Sequence, residues 1–382
     1  MDVRVRSGRI GFCAVMMTAV SAVGGSAAPL MLQSVDSAAF AAETSPVPTE
    51  QNVPSTRTIT ISWVGDNILG TDKDFGGGTL PELWARAGKS PDYFFQNVKR
   101  YFTADDLTVA NFEVALTGER RERYKGDGET YHFYGDPAVA ESLPAAGIDV
   151  VTLANNHTFD YGQAGFDDTT RALDAVGVDY VGTGHESEGS TYDFRVIRDV
   201  KGVRVGLVGY QAWADTVPFR AKVRTDFSTL RAEGAQVVIP FFHWGIEAEN
   251  RPYEVQTSLA EFAIDQGADA VIGTHPHVLQ SMSTYKGKLI AYSLGNFSFG
   301  GNTNPSDKRT MILQTRLTVT GERVSGSEYR VIPTRLSRDA GFNDYVPTPY
   351  RGAEKAETLE FINEISPDLH GRIGTRFRPV ES

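Results

Sequence analysis

The pattern of apolar and polar residues along the chain repeats one unit. A short apolar run ends in a cluster of polar residues, and a stretch with apolar residues three and four apart follows. The runs at 58–64, 107–110, 149–154, 178–181, 237–242, 270–273 and 289–294 predict buried strands. Helices are predicted over 93–101, 137–146, 166–176, 225–232 and 255–264; Gly147, Gly177 and Gly267 stop the second, third and fifth of these. Strand alternating with helix implies an α/β protein with a largely parallel sheet covered by helices, its ligands bound at the carboxyl ends of the strands. Two segments break the rhythm. Residues 194–197 and 203–208 pair around Gly202, and 311–319 and 328–336 read as an antiparallel hairpin. A tail rich in Pro, Gly and Arg follows Ser337, with one helical stretch at 353–365.

The N-terminus carries a different pattern. Arg4, Arg6 and Arg9 precede an uncharged run from 10 to 35, and Ala39-Phe40-Ala41 is a small-x-small sequence. Residues 1–41 therefore read as an export signal cleaved after Ala41, or as an N-terminal anchor, with Gly24, Gly25, Ser26 and Pro29 interrupting the span. Residues 42–56 read as a flexible linker. Export places the protein outside the cell or at its envelope. The net charge of −11 and the lack of any Lys/Arg-rich run argue against nucleic acid as a partner. The single cysteine, Cys13, lies in the leader, so the rest of the chain has no disulfides, and any metal must be held by nitrogen and oxygen.

The candidate chemistry lies at the strand ends, where His157, His243, His275 and His277 each follow a predicted core strand. If the backbone of His275-Pro276-His277 is extended, both imidazoles point the same way and suit one metal or one anionic oxygen. Asn156-His157 offers an oxygen and a nitrogen, with Asp160 a candidate cap for the next helix. Glu247 lies four residues after His243, placed to orient a histidine or to act as a base. Asp66 ends the first strand, and Asn111 and Glu113 share a side if extended. Tyr161, Tyr210, Gln256, Asn296 and Arg251 are weaker candidates, and His132, His185 and His370 read as surface or loop residues.

Taken in order, Gly65-Asp66, Asn111-Phe112-Glu113, Asn155-Asn156-His157, His243-Trp244-Gly245, Gly273-Thr274-His275-Pro276-His277 and Gly295-Asn296-Phe297 resemble the CapA family of capsule-synthesis proteins linked to poly-γ-glutamate. That family is similar to the calcineurin-like metallophosphoesterases. The resemblance implies a four-layer α/β/β/α sandwich over residues 57–300, with a C-terminal hairpin and tail, 301–382, completing it. It also implies one divalent metal (Mn, Fe or Zn) on some of Asp66, Asn156, His243, His275 and His277, because the first motif, Asp-x-His, lacks its histidine (Ile68 stands there) and Glu113 replaces a bridging Asp. Catalytic roles fall on His157, Glu113 and Asp66, and substrate-facing roles on Asn111, Tyr161, Glu247 and Asn296. Three functions follow as expectations. The first is metal-assisted hydrolysis or transfer on a phosphoryl or γ-glutamyl group. The second is metal-independent acid–base catalysis, and the third is non-catalytic binding or export of an anionic envelope polymer or its precursor within a membrane assembly.

Overall fold

The computed structural model describes residues 5–7, 55–126, 130–185, 191–369 and 371–381. The expected leader cleavage site, most of the linker and His370 lie outside the described residues. No helix among those described is long and apolar enough to cross a membrane.

The strands are β1 (Thr56–Ile68), β2 (Leu107–Phe112), β3 (Val150–Thr152), β4 (Asp179–His185), β5 (Thr191–Val200), β6 (Val203–Gln211), β7 (Val237–His243), β8 (Ala270–Thr274), β9 (Met282–Tyr285), β10 (Lys288–Ala291), β11 (Asn296–Phe299), β12 (Arg309–Thr320) and β13 (Arg323–Arg335). They form one curled, hydrogen-bonded path, β9-β10-β8-β7-β6-β5-β4-β3-β2-β1-β12-β13, with β11 beside β1. The path folds into two facing sheets. Ile59, Ile61 and Trp63 of β1 and Val237, Ile239 and Phe241 of β7 meet in the core between them. Val238 and Phe242 point the other way, onto α1 (Val217–Ala232) and α2 (Glu254–Asp265). Val64, Ala110 and Val151 face the helical side that carries Leu143, Phe166 and Leu173. These three apolar interfaces make four layers, α/β/β/α. Burial on both faces is why β7 reads as an unbroken apolar run.

The two sheets share a strand. β4 pairs parallel with β3 through Asp179–Val181 and antiparallel with β5 from Gly182 onward. Gly182 has φ +154°, and a Cβ there would lie 3.0 Å from both the Ala154 nitrogen and Tyr192 Cε2. The chain crosses between layers where only glycine fits. β12 runs antiparallel along β1, Leu313 opposite Trp63 through Thr320 opposite Thr56, so the late hairpin extends the first sheet.

Some boundaries differ from the sequence reading. Helix α1 begins at Val217, well before 225, because Thr216 Oγ1 caps the Phe219 amide (3.3 Å) and Pro218 occupies the first turn. Within 93–101 only Lys99–Phe102 closes as α-helix, and successive turns before it press Phe94, Phe95 and Val98 into the core. β1 continues past Val64 through an irregularity at Gly65 and carries Asp66 inside the strand.

Candidate functional site

The carboxyl ends of β1, β2, β3, β7 and β8 converge, as parallel strands require. Asp66, Asn111, Glu113 and His243 are buried to 1% exposure or less, and His275 is also buried. Gly65 makes the convergence close: a Cβ there would stand 1.8 Å from the Gly295 carbonyl, so the loops bearing Asp66 and Asn296 interlock. The Asp66 amide donates to that carbonyl at 2.9 Å.

Two sets of polar atoms make up the site. In one, Asp66 Oδ1 accepts from Asn111 Nδ2 (2.7 Å), and Asp66 Oδ2 lies 3.2 Å from His277 Nδ1, which also meets Asn296 Oδ1 at 3.0 Å. In the other, His243 Nε2 sits 2.7 Å from Asn156 Oδ1 and 3.4 Å from Glu113 Oε1. Glu113 Oε1 and His275 Nδ1 are buried without a hydrogen-bond partner. Ligand atoms of Glu113, His243 and His275 fall within 4.8 Å of one another, as do those of Glu247, His275 and His277, and of Asp66, Glu113 and His277. Trp213 lies edge-on to His275, ring centroids 4.6 Å apart.

The electrostatics follow this division. Burial, with His243 and His277 beside it, pushes His275 down to about 2, leaving a neutral imidazole with a lone pair to offer. Burial also opposes charge on His277, but Glu113 and Asp66 outweigh it and raise that group to about 9. Burial would lift Glu113, yet His243 and His277 hold its carboxyl well below the usual range.

Above this floor a cleft of about 350 Å³ is lined by His157, Glu247, His277, Asn296, Phe133 and Phe299, among others. His157 Nδ1 is 2.7 Å from Asp160 Oδ2, and Lys125 Nζ approaches both residues. The short contact to a carboxylate requires Nδ1–H to donate, which leaves Nε2 as the working nitrogen. Burial lowers the His157 pKa against the pull of Asp160.

Several expectations need correction. His275 (φ +98°) and His277 (φ +59°) are not extended. Their rings nonetheless come within 5.6 Å. Asp66 Oδ2 accepting the His275 amide (3.3 Å) and the Pro276 carbonyl accepting the Ala248 amide (2.9 Å) hold the turn. Asn111 is wholly buried, and its Nδ2 donates to both Asp66 Oδ1 and Glu113 Oε2. Tyr161 is buried with its hydroxyl on the His132 carbonyl (3.3 Å). Asp160 does not cap a helix but holds His157 and the Phe133 amide (2.6 Å). His132 lies in a loop, as expected, but is buried. Tyr210 binds buried Asp226 and Gln256 binds Gln280, both structural contacts. Lys125, Asn155 and Trp213 were not singled out from sequence. Asn155 Nδ2 reaches Asn111 Oδ1 at 3.2 Å, and its place in the Asn155-Asn156-His157 run is the one signal among the three.

A four-layer α/β sandwich with imidazoles and carboxylates at its strand ends defines the class of protein. Residues 60–301 match the family described as "Bacterial capsule synthesis protein PGA_cap", and the chain belongs to that family. It is 32% identical over 258 residues to "Capsule biosynthesis protein CapA" of Bacillus anthracis, covering 63% of this chain and 60% of the relative. It is 32% identical over 223 residues to "PGA biosynthesis protein CapA" of Bacillus subtilis (strain 168), covering 55% and 58%. It is 25% identical over 262 residues to a "Probable polyglutamine synthesis accessory protein" of Mycobacterium tuberculosis, covering 62% and 67%. The chain thus spans about three-fifths of the length of the two Bacillus relatives.

Proposed function

We propose that the cleft is a single-metal centre that hydrolyses or transfers a γ-glutamyl or phosphoryl group while an anionic envelope polymer is made. The observation that carries this is the pair of partnerless buried atoms, Glu113 Oε1 and His275 Nδ1, beside His243. Buried polar atoms without partners are costly, and a cation shared among them removes the cost. Glu113, His243 and His275 would hold the ion, with Asn156 Oδ1 beside His243 Nε2 as a further oxygen. Ligand atoms around one Mn, Fe or Zn lie roughly 3 Å apart, the spacing of Asn156, His243 and Glu113. Bound there, the metal supplies a Lewis acid for a carbonyl or phosphoryl oxygen.

The chain's own residues do the rest. Asp160 fixes His157 so that its free Nε2 takes the proton from the attacking nucleophile and passes it to the leaving group. Asn296 and Glu247, at the rim, orient the substrate, while Phe133 and Phe299 exclude water. Asp66 and His277 act as a fixed ion pair beside the reacting group. The polymer or its precursor reaches the cleft from a membrane-bound synthesis or export assembly, and the leader delivers the protein to that side.

Metal analysis of the purified protein tests the reading. One equivalent of Mn, Fe or Zn is expected in the wild type, and a small fraction of that in His243→Ala and His275→Ala. A wild-type protein that takes up none of the three on reconstitution sinks the proposal. Full turnover in chelator shifts the assignment to metal-independent acid–base chemistry.

A further inference from the structure

The chain is acidic overall, yet one part of its surface carries a row of cations. Three adjoining clefts lie around the C-terminal hairpin and α3 (Gly352–Ile365). The first, about 400 Å³, has Arg100, Arg335 and Arg351 in its wall. The second, also about 400 Å³, shares Arg100 and Arg351 with it and adds Arg330 and Lys355. The third, about 460 Å³, shares Arg335 and adds Lys308. Ser306 and Asp307 line both this third cleft and the site cleft, so the row runs continuously to the candidate metal centre.

The acids in the row are already neutralised. Asp307 is paired with Arg309 at 2.8 Å, and Glu354 with Arg335 at 3.1 Å. Arg100, Arg330, Arg351, Lys355 and Lys308 have no ion-pair partner among the described residues. Arg100 and Arg351 are exposed. These cations do not converge on one point, as they would for a single multiply charged group. They are spread along shallow clefts, which suits spaced single charges on a flexible chain. Most of them lie beyond residue 301, outside the segment that matches the family.

We propose that the row and the site cleft form one track for an extended polycarboxylate, in which the C-terminal cations grip successive carboxylates and lead the chain to the cleft above Glu113, His243 and His275. In naming a glutamyl chain as the occupant, the proposal rests on the function proposed above.

The test is fluorescence anisotropy with a labelled γ-linked glutamyl oligomer and the purified chain. Wild type is expected to bind, with affinity falling steeply as salt rises. Arg351→Glu/Lys355→Glu is expected to weaken binding by about tenfold or more, with melting temperature and metal content unchanged. If that variant misfolds, Arg351→Gln/Lys355→Gln is read instead, with a loss of about threefold expected. Equal affinity in wild type and a folded charge variant, or no binding by wild type, overturns the track. So does equal binding of a DNA oligonucleotide of the same charge, because that outcome denies selection of a polycarboxylate. Metal content measured on the same samples separates the two proposals, since Arg351→Glu/Lys355→Glu should lose oligomer binding while keeping its metal. A metal-free wild type that still binds the oligomer defeats the metal centre alone.

Discussion

Two neighbouring groups of polar residues at the strand ends have almost the same composition and opposite states. Asp66, His277 and Asn296 satisfy one another at 3.0–3.2 Å, and their charges cancel. Glu113, His243 and His275 leave an oxygen and a nitrogen buried without partners. Chemical type alone does not separate these groups; the difference lies in how many hydrogen-bonding atoms find a mate. A completed ion pair resists a cation, whereas an incomplete set invites one. This contrast favours one metal over two.

The largest expected effect breaks the incomplete set. His275→Ala should lower metal affinity by more than about a hundredfold, measured by competition with a chromogenic chelator. Asp66→Asn attacks the completed set. It should cost about 3 kcal/mol in denaturant unfolding, because His277 loses its carboxylate partner, while the metal content stays near wild type. Comparable metal loss in both variants would erase the distinction. Asp160→Asn touches neither set. It should lower kcat by about tenfold, with KM and metal content held, since the amide oxygen can still accept the Phe133 N–H while His157 loses its carboxylate partner.

The smallest effect lies away from the site and serves as a control. Asp105 is raised to about 7 by burial, against hydrogen bonds from Ser62 and Thr108. Its contribution to stability is therefore fully present below about pH 4 and is lost as pH rises through about 7. Asp105→Asn should raise the melting temperature by about 2 °C at pH 8 and leave it unchanged at pH 4, with metal affinity unaffected.

Most of the layering was legible because burial on both faces of a strand writes a continuous apolar run, as in β7, and glycines mark helix ends. The strand-end histidines were legible for the same topological reason. Other features left no local trace. The φ values of His275 and His277 depend on Asp66 and Ala248, residues far away or in another loop. Lys125 sits in a charged, glycine-punctuated loop, where nothing in the neighbouring residues shows that it will meet Asp160. Asn111 reads from sequence as a substrate-facing residue because an amide at a strand end can be one. Its complete burial between two carboxylates, which makes it a spacer, is set by β1 pairing in register with β2.

The interlock of Gly65 with Gly295 has a kinetic consequence. It joins the first core strand to a loop some 230 residues later, and Asp66 touches His275 and His277 across separations of 209 and 211 residues. Closing so long a loop comes late in folding, after the local helices and hairpins have formed. A growing chain that has not yet reached residue 277 cannot complete either group of site residues. Acquisition of the ion would then report that the chain has folded through the end of β8, and a chain truncated before His275 should stay metal-free however well its earlier strands are paired.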